Sequence, residues 1–161
     1  MYNSKNKFYL QIIFIFSFFA LFFAYFAEHI LGHQPCNLCL IERIPYGLSI
    51  ILIIATFISQ KNEKFLILLL ILTFIFSFSI SFYHFGIEQG FFEESAVCGI
   101  KDFNENLTKE DLLIQLKEQV ISCKDVTFRI FGLSLTSINM LFSLLIFVML
   151  TTIYFKYEKN R

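Results

Sequence analysis

The chain is poor in charge, has no tryptophan and shows no excess of either sign. Only 16% of its 161 residues are Asp, Glu, Lys or Arg, and the formal net charge is zero. A soluble domain of this length carries about 25% charged residues. A chain without a net positive charge or a basic patch offers nothing to a phosphate backbone, so no nucleic-acid role is expected. The aromatic content rests on 23 Phe and 7 Tyr. No small-x-small cleavage site follows the first apolar run, and that run exceeds the 7–15 residues of a signal-peptide core, so it reads as a retained helix.

What is present is apolar. Hydrophobic residues make up 57% of the chain, and the mean hydropathy is +0.67. Three stretches, Lys7–Ala27, Phe65–Phe85 and Leu135–Phe155, are each long enough to cross a hydrocarbon core of ~30 Å. A fourth, Tyr46–Ser59, reaches only ~21 Å at 1.5 Å per residue, so its helix must begin near Leu40 or Ile41 to span. The expected fold is therefore an all-α, four-transmembrane-helix bundle forming a single integral-membrane domain. Its helices are expected near 7–27, 40–59, 65–85 and 133–155, with loops at 28–39 and 86–132.

Lys and Arg are unevenly divided. The two tails and the 60–64 turn carry seven Lys or Arg against two Glu, whereas segment 86–132 carries five against nine acidic residues. The positive-inside rule predicts cytoplasmic termini and places both long loops on the opposite side. In the second loop, Thr108-Lys-Glu-Asp111 resembles a helix-start box, and Leu112, Leu113, Leu116 and Val120 follow at helical spacing. A short amphipathic helix is expected there, lying on the membrane or folded against the loop.

Both loops carry cysteine. Four Cys allow three pairings, and disulfides persist on the oxidising side of a membrane. Cys36-Asn-Leu-Cys39 is a CxxC at the mouth of the second helix, where unpaired backbone N–H groups favour a thiolate. Arg43, one turn after Cys39, can stabilise a thiolate or anionic ligand, or can simply snorkel or pair with Glu42. A zinc site would need two further ligands, such as Cys98 and Cys123 or His33 and His84. No second CxxC exists, and no resident metal is expected. Cys98 and Cys123 lie in the acidic loop, where a disulfide could stabilise the fold by roughly 3–4 kcal/mol or take part in thiol–disulfide exchange. An exposed loop would supply the access such exchange needs. His84 ends the third apolar stretch with Glu88 one turn beyond, and either can line a polar site at the external surface or be satisfied locally.

The run Pro35-Cys-Asn-Leu-Cys-Leu-Ile-Glu-Arg-Ile-Pro-Tyr46 resembles the cysteine motif of the disulfide bond formation protein B (DsbB) family. Tyr83-His-Phe-Gly-Ile-Glu-Gln-Gly90, the spaced Cys98 and Cys123, and Phe131-Gly-Leu-Ser-Leu-Thr-Ser-Ile-Asn139 continue the likeness. The resemblance implies a quinone-dependent thiol oxidase of the bacterial inner membrane. Its partner would be a soluble periplasmic thioredoxin-fold oxidase (DsbA-like), which attacks the loop disulfide at Cys98. Cys123 then passes electrons to Cys36, and Cys39 faces a membrane quinone, ubiquinone or menaquinone, with Arg43 at the quinone site. His84 and Glu88 are candidate quinone-site residues. Two departures stand out: the absence of Trp, and Glu42 where some relatives carry Gln.

Two other readings compete. A quinone reductase of the vitamin K epoxide reductase type shares the four-helix core and membrane-edge CxxC, but its loop cysteines usually precede the CxxC. A non-catalytic membrane protein with two structural disulfides would need Cys39 for folding alone.

Overall fold

The computed structural model describes residues 4–59, 62–94, 98, 122–124, 129–130 and 132–159. The helices are α1 (Ser4–His29), α2 (Asn37–Ile41), α3 (Ile44–Ile58), α4 (Glu63–Glu88) and α5 (Leu135–Lys159). A two-residue antiparallel ladder, β1 (Arg129–Ile130) with β2 (Leu133–Ser134), leads into α5. Four spans, Lys7–His29, Asn37–Ile58, Glu63–Glu88 and Leu135–Lys156, are long and apolar enough to cross a bilayer. The chain is a four-helix membrane bundle, as its composition predicts. The amphipathic helix expected after Thr108 lies outside the described residues.

The second span differs from expectation in an instructive way. It starts at Asn37 rather than near Leu40, and it is broken at Glu42–Arg43. Pro45 explains the break, because in a continuous helix its missing N–H would have bonded the Ile41 carbonyl. Instead the Glu42 N–H donates to the Leu38 carbonyl at 2.9 Å and the Arg43 N–H to Leu40 at 3.2 Å. α3 then restarts with the Gly47 N–H on the Arg43 carbonyl at 3.2 Å. The two residues at the break project differently from those of an unbroken helix, which decides the partners of Glu42 and Arg43.

α4 also runs further than its apolar stretch, so that Glu88 is its last helical residue. The Gly90 N–H bonds the Ile87 carbonyl at 3.0 Å and the Phe91 N–H bonds Gly86 at 2.7 Å, with Gly90 at φ +77°. This is the Schellman arrangement, which needs a residue free to adopt the left-handed conformation. The chain turns back so that Phe92 lies against Gly86, at distances that leave no room for a Cβ there.

α4 packs along both α3 and α5, and α1 packs mainly on α3. The middle of the bundle is closed by Leu10, Ile13, Ile53, Ile67, Phe74 and Leu150, all buried. Small polar residues join the helices at two points. The Ser49 hydroxyl donates to Ser17 at 2.9 Å, and Ser77 and Ser143 share a 2.9 Å bond, all four being fully buried. Serine at a helix contact permits close approach and satisfies its hydroxyl across the interface, as membrane bundles require. The outside is the reverse of a soluble surface. Phe18, Phe22, Ile51, Phe76 and Leu145 are each more than half exposed, a continuous apolar exterior suited to lipid tails.

A second buried cluster sits at the loop end of the bundle. It contains Cys36, Leu38, Ile87, Cys98 and Cys123.

Candidate redox site

Cys36 caps α2 in an extended conformation (φ −71°, ψ 167°), and its Sγ accepts the Cys39 N–H at 3.3 Å. The helical spacing of three residues brings the two side chains to one face, with their sulfurs 2.7 Å apart. The hydrogen bond from the Cys39 thiol, and then the His84 ring, draw the Cys36 thiol down to about 4 despite its burial. A sulfur held as thiolate is the reactive form in exchange.

Behind Cys36 runs a buried polar chain that joins three of the four spans. His84 Nε2 of α4 lies 3.6 Å from Cys36 Sγ, and its Nδ1 lies 2.8 Å from Glu42 Oε1. The other Glu42 oxygen accepts from Asn139 Nδ2 of α5 at 2.7 Å. That amide also meets Ser81 Oγ at 2.7 Å, and the Tyr46 hydroxyl donates to Asn139 Oδ1. A carboxylate taken out of water is tolerated only when so paired. One turn before Asn139, the Thr136 hydroxyl donates to Glu88 Oε1 at 2.6 Å. The second Glu88 oxygen is buried without a hydrogen-bond partner among the described residues.

Arg43 faces the opposite way. Its guanidinium pairs with Glu28 of α1 and lies 5.0 Å from the centre of the Tyr25 ring. Pairing with Glu42, one of the sequence expectations, does not occur, because the break before Pro45 turns Glu42 inward to His84 and leaves Arg43 toward α1.

Cys36, Cys39, Glu42, Arg43, His84 and Glu88 border one cavity of about 360 Å³. Its long wall is apolar, built from Phe16, Phe19 and Phe23 of α1 and Phe142 of α5. Cys123 reaches the same cavity. It is bonded to Cys98 with a Cα separation of 5.5 Å.

The chain matches the family Disulfide bond formation protein DsbB over residues 6–153. It belongs to that family. It is also similar to an uncharacterized protein of Rickettsia prowazekii (strain Madrid E), 31% identical over 147 residues that cover 90% of this chain and 86% of the relative. No solved structure matches it. Membership in the DsbB family makes the chain a disulfide-formation membrane protein, with the disulfide oxidoreductase chemistry that the family name denotes.

Against that background the residues singled out from sequence fall into one place, with two changes. The loop pair does not lie exposed: Cys98 is 1% and Cys123 2% accessible, packed against Cys36, Leu38 and Ile87. Ile87 and Leu38 supply apolar cover for the disulfide, which has no charge to solvate. His84 and Glu88 are buried as well, facing the cavity and not the external surface. His84 is satisfied by a carboxylate and not by a backbone carbonyl. The sequence reading gave Glu42, Asn139 and Thr136 no part in the site. Their signal was available: Glu42 and Asn139 are polar side chains inside otherwise apolar spans, where burial without a partner is costly.

Proposed function

We propose that this protein is a quinone-coupled thiol oxidase that reoxidises a soluble, DsbA-like periplasmic dithiol oxidase. The observation that carries the reading is that Cys123, Cys36 and Cys39 border one cavity whose long wall is apolar and whose end is polar. Its volume of about 360 Å³ falls in the range of small-molecule sites. An apolar wall suits a lipid-soluble ring and tail, and Arg43, His84, Glu88 and Thr136 supply polar groups for ring oxygens. The chemistry supplied by a bound quinone is a two-electron, two-proton sink for the Cys36/Cys39 dithiol.

The protein's own sulfurs do the rest. A partner thiolate attacks Cys98 Sγ, the Cys98–Cys123 bond breaks, and Cys123 leaves as thiolate. Because Cys98 is covered, this attack waits on displacement of the groups packed over it. Cys123 then attacks Cys36 Sγ of the Cys36–Cys39 disulfide, and Cys39 leaves as thiolate beside the cavity. A second partner thiolate resolves the mixed disulfide at Cys98. Released Cys98 reforms its bond to Cys123, leaving Cys36 as the second thiolate. His84, backed by Glu42, stands within reach of that sulfur to stabilise the thiolate by hydrogen bonding. The Lys and Arg distribution supports cytoplasmic termini and periplasmic cysteines in the inner membrane.

The test is anaerobic mixing of the purified protein with ubiquinone, or in parallel menaquinone, and reduced periplasmic oxidase. Quinone loss should require each of Cys36, Cys39, Cys98 and Cys123. Arg43→Ala should raise the apparent KM for quinone while leaving the loop disulfide exchangeable. Absence of quinone reduction by the unaltered protein overturns the proposal.

A further inference from the structure

Three donor atoms of the kind that bind borderline and soft cations converge at the polar end of the cavity. Cys36 Sγ, Cys39 Sγ and His84 Nε2 all lie within 4.8 Å of one another. The imidazole is already oriented for coordination. Its Nδ1 is engaged by Glu42 Oε1 at 2.8 Å, which fixes the ring with Nε2 facing Cys36 Sγ at 3.6 Å. A carboxylate behind a histidine is the usual outer support of a metal ligand, fixing the tautomer and raising the basicity of the other nitrogen. Glu42 is in turn held by Asn139 at 2.7 Å.

A further donor stands next to His84, outside the compact group of three. Glu88 Oε1 is 4.0 Å from His84 Nε2, and its other oxygen is buried with no hydrogen-bond partner among the described residues. A turn of the Glu88 side chain toward the sulfurs would complete a set of two sulfurs, one nitrogen and one oxygen, of the type that zinc accepts in tetrahedral geometry. The loop cysteines are not needed and are not free, being bonded to each other.

We propose that the dithiol form of the Cys36/Cys39 pair, with His84 Nε2 and a Glu88 carboxylate oxygen, is a binding site for a divalent cation of the zinc class. Binding forms four metal–ligand bonds and displaces to solvent the protons held among the two sulfurs and His84 Nε2, and no electron moves. The disulfide form offers no thiolate and does not bind, so the site exists only after the pair has been reduced. A cation held there occupies both sulfurs and blocks their reoxidation, which makes it a redox-gated inhibitor. This rests on the reading of Cys36/Cys39 as a cycling pair, but needs neither the quinone nor the protein partner.

The experiment uses the full-length protein in lipid nanodiscs, reduced, freed of reductant and titrated anaerobically with Co²⁺ and then Zn²⁺. The dithiol protein should take up one equivalent with a thiolate-to-cobalt charge-transfer band, and the oxidised protein none. Zinc-edge absorption on the unaltered protein should show two sulfurs at about 2.3 Å and two lighter ligands at about 2.0–2.1 Å. Glu42→Gln, which alters the contact to the outer nitrogen of His84 and not a donor atom of the site, should weaken binding by about 10–100-fold. Equal uptake by reduced and oxidised protein, or a shell of four sulfurs or of none, overturns the proposal. Because binding is read on the protein alone, its failure leaves the electron relay standing. Loss of quinone reduction would likewise leave a positive metal result intact.

Discussion

The two buried clusters of this bundle are built on opposite principles. Mid-bundle, Leu10, Ile53, Ile67, Phe74 and Leu150 close a dry core whose buried polar groups include serines paired across helices and threonines bonded to their own helix backbone. At the loop end, Cys36, Cys98 and Cys123 pack with Leu38 and Ile87, beside a linked chain of His84, Glu42 and Asn139. The first arrangement depends on shape and tolerates no reactive group. The second puts charge and exchangeable sulfur where burial is most costly, and among the described residues it leaves one buried Glu88 oxygen without a hydrogen-bond partner. Stability and chemistry are separated along the helix axes, so substitutions at the two ends should fail in different ways.

The largest effect is expected at the loop end. Cys39→Ser should lower thiol-oxidation turnover by on the order of 10³-fold or more, since it removes a member of a unit that works only when complete. Its melting behaviour should stay near that of the unaltered protein. A parallel loss of folding would instead favour a structural disulfide. At the other end, Phe74→Ala should cost about 3–5 kcal/mol of stability in a denaturation series, by opening a cavity in the dry core. The folded fraction should still oxidise thiols at its ordinary rate.

A third comparison is by pH. The Cys36 thiol is drawn down to about 4, mainly by the Cys39 hydrogen bond and then by His84. A depressed value means that the thiolate's stabilising contribution is complete above the unfolded thiol value of about 8.5 and is lost as pH falls through about 4. Alkylation of Cys36 in the reduced protein should therefore stay flat between about pH 8 and 5, where an ordinary thiol slows about tenfold per unit. A tenfold decline per unit over that interval would remove Cys36 as the poised sulfur. The smallest effect is expected for Ser77→Ala, which breaks the bond to Ser143 mid-bundle. A loss near 0.6 kcal/mol is expected, with turnover unchanged.

The four spans and the placement of the CxxC at a helix mouth were legible because they depend on composition and length alone. The start of the second span was misplaced by a few residues, since apolar length cannot reveal the helix break before Pro45. The pairing of Glu42 with His84 was not legible for the same reason. It joins residues 42 apart in sequence and depends on where that break aims a side chain. Burial of the loop disulfide was hidden too. An acidic segment reads as solvated on average, and nothing in its composition shows that its two cysteines fold back onto Leu38 and Ile87.

The central claim is that electrons enter the CxxC through Cys123, which shares the cavity with Cys36 and Cys39 while Cys98 does not border it. The most direct measurement compares two double variants under mild oxidation, with the disulfides identified by mass spectrometry. In Cys39→Ser/Cys98→Ser the remaining Cys36 and Cys123 should form a disulfide rapidly and nearly completely. In Cys39→Ser/Cys123→Ser, Cys36 should join Cys98 slowly or not at all. Free thiols persisting at Cys36 and Cys123, or equal pairing of Cys36 with either loop cysteine, would contradict a directional relay.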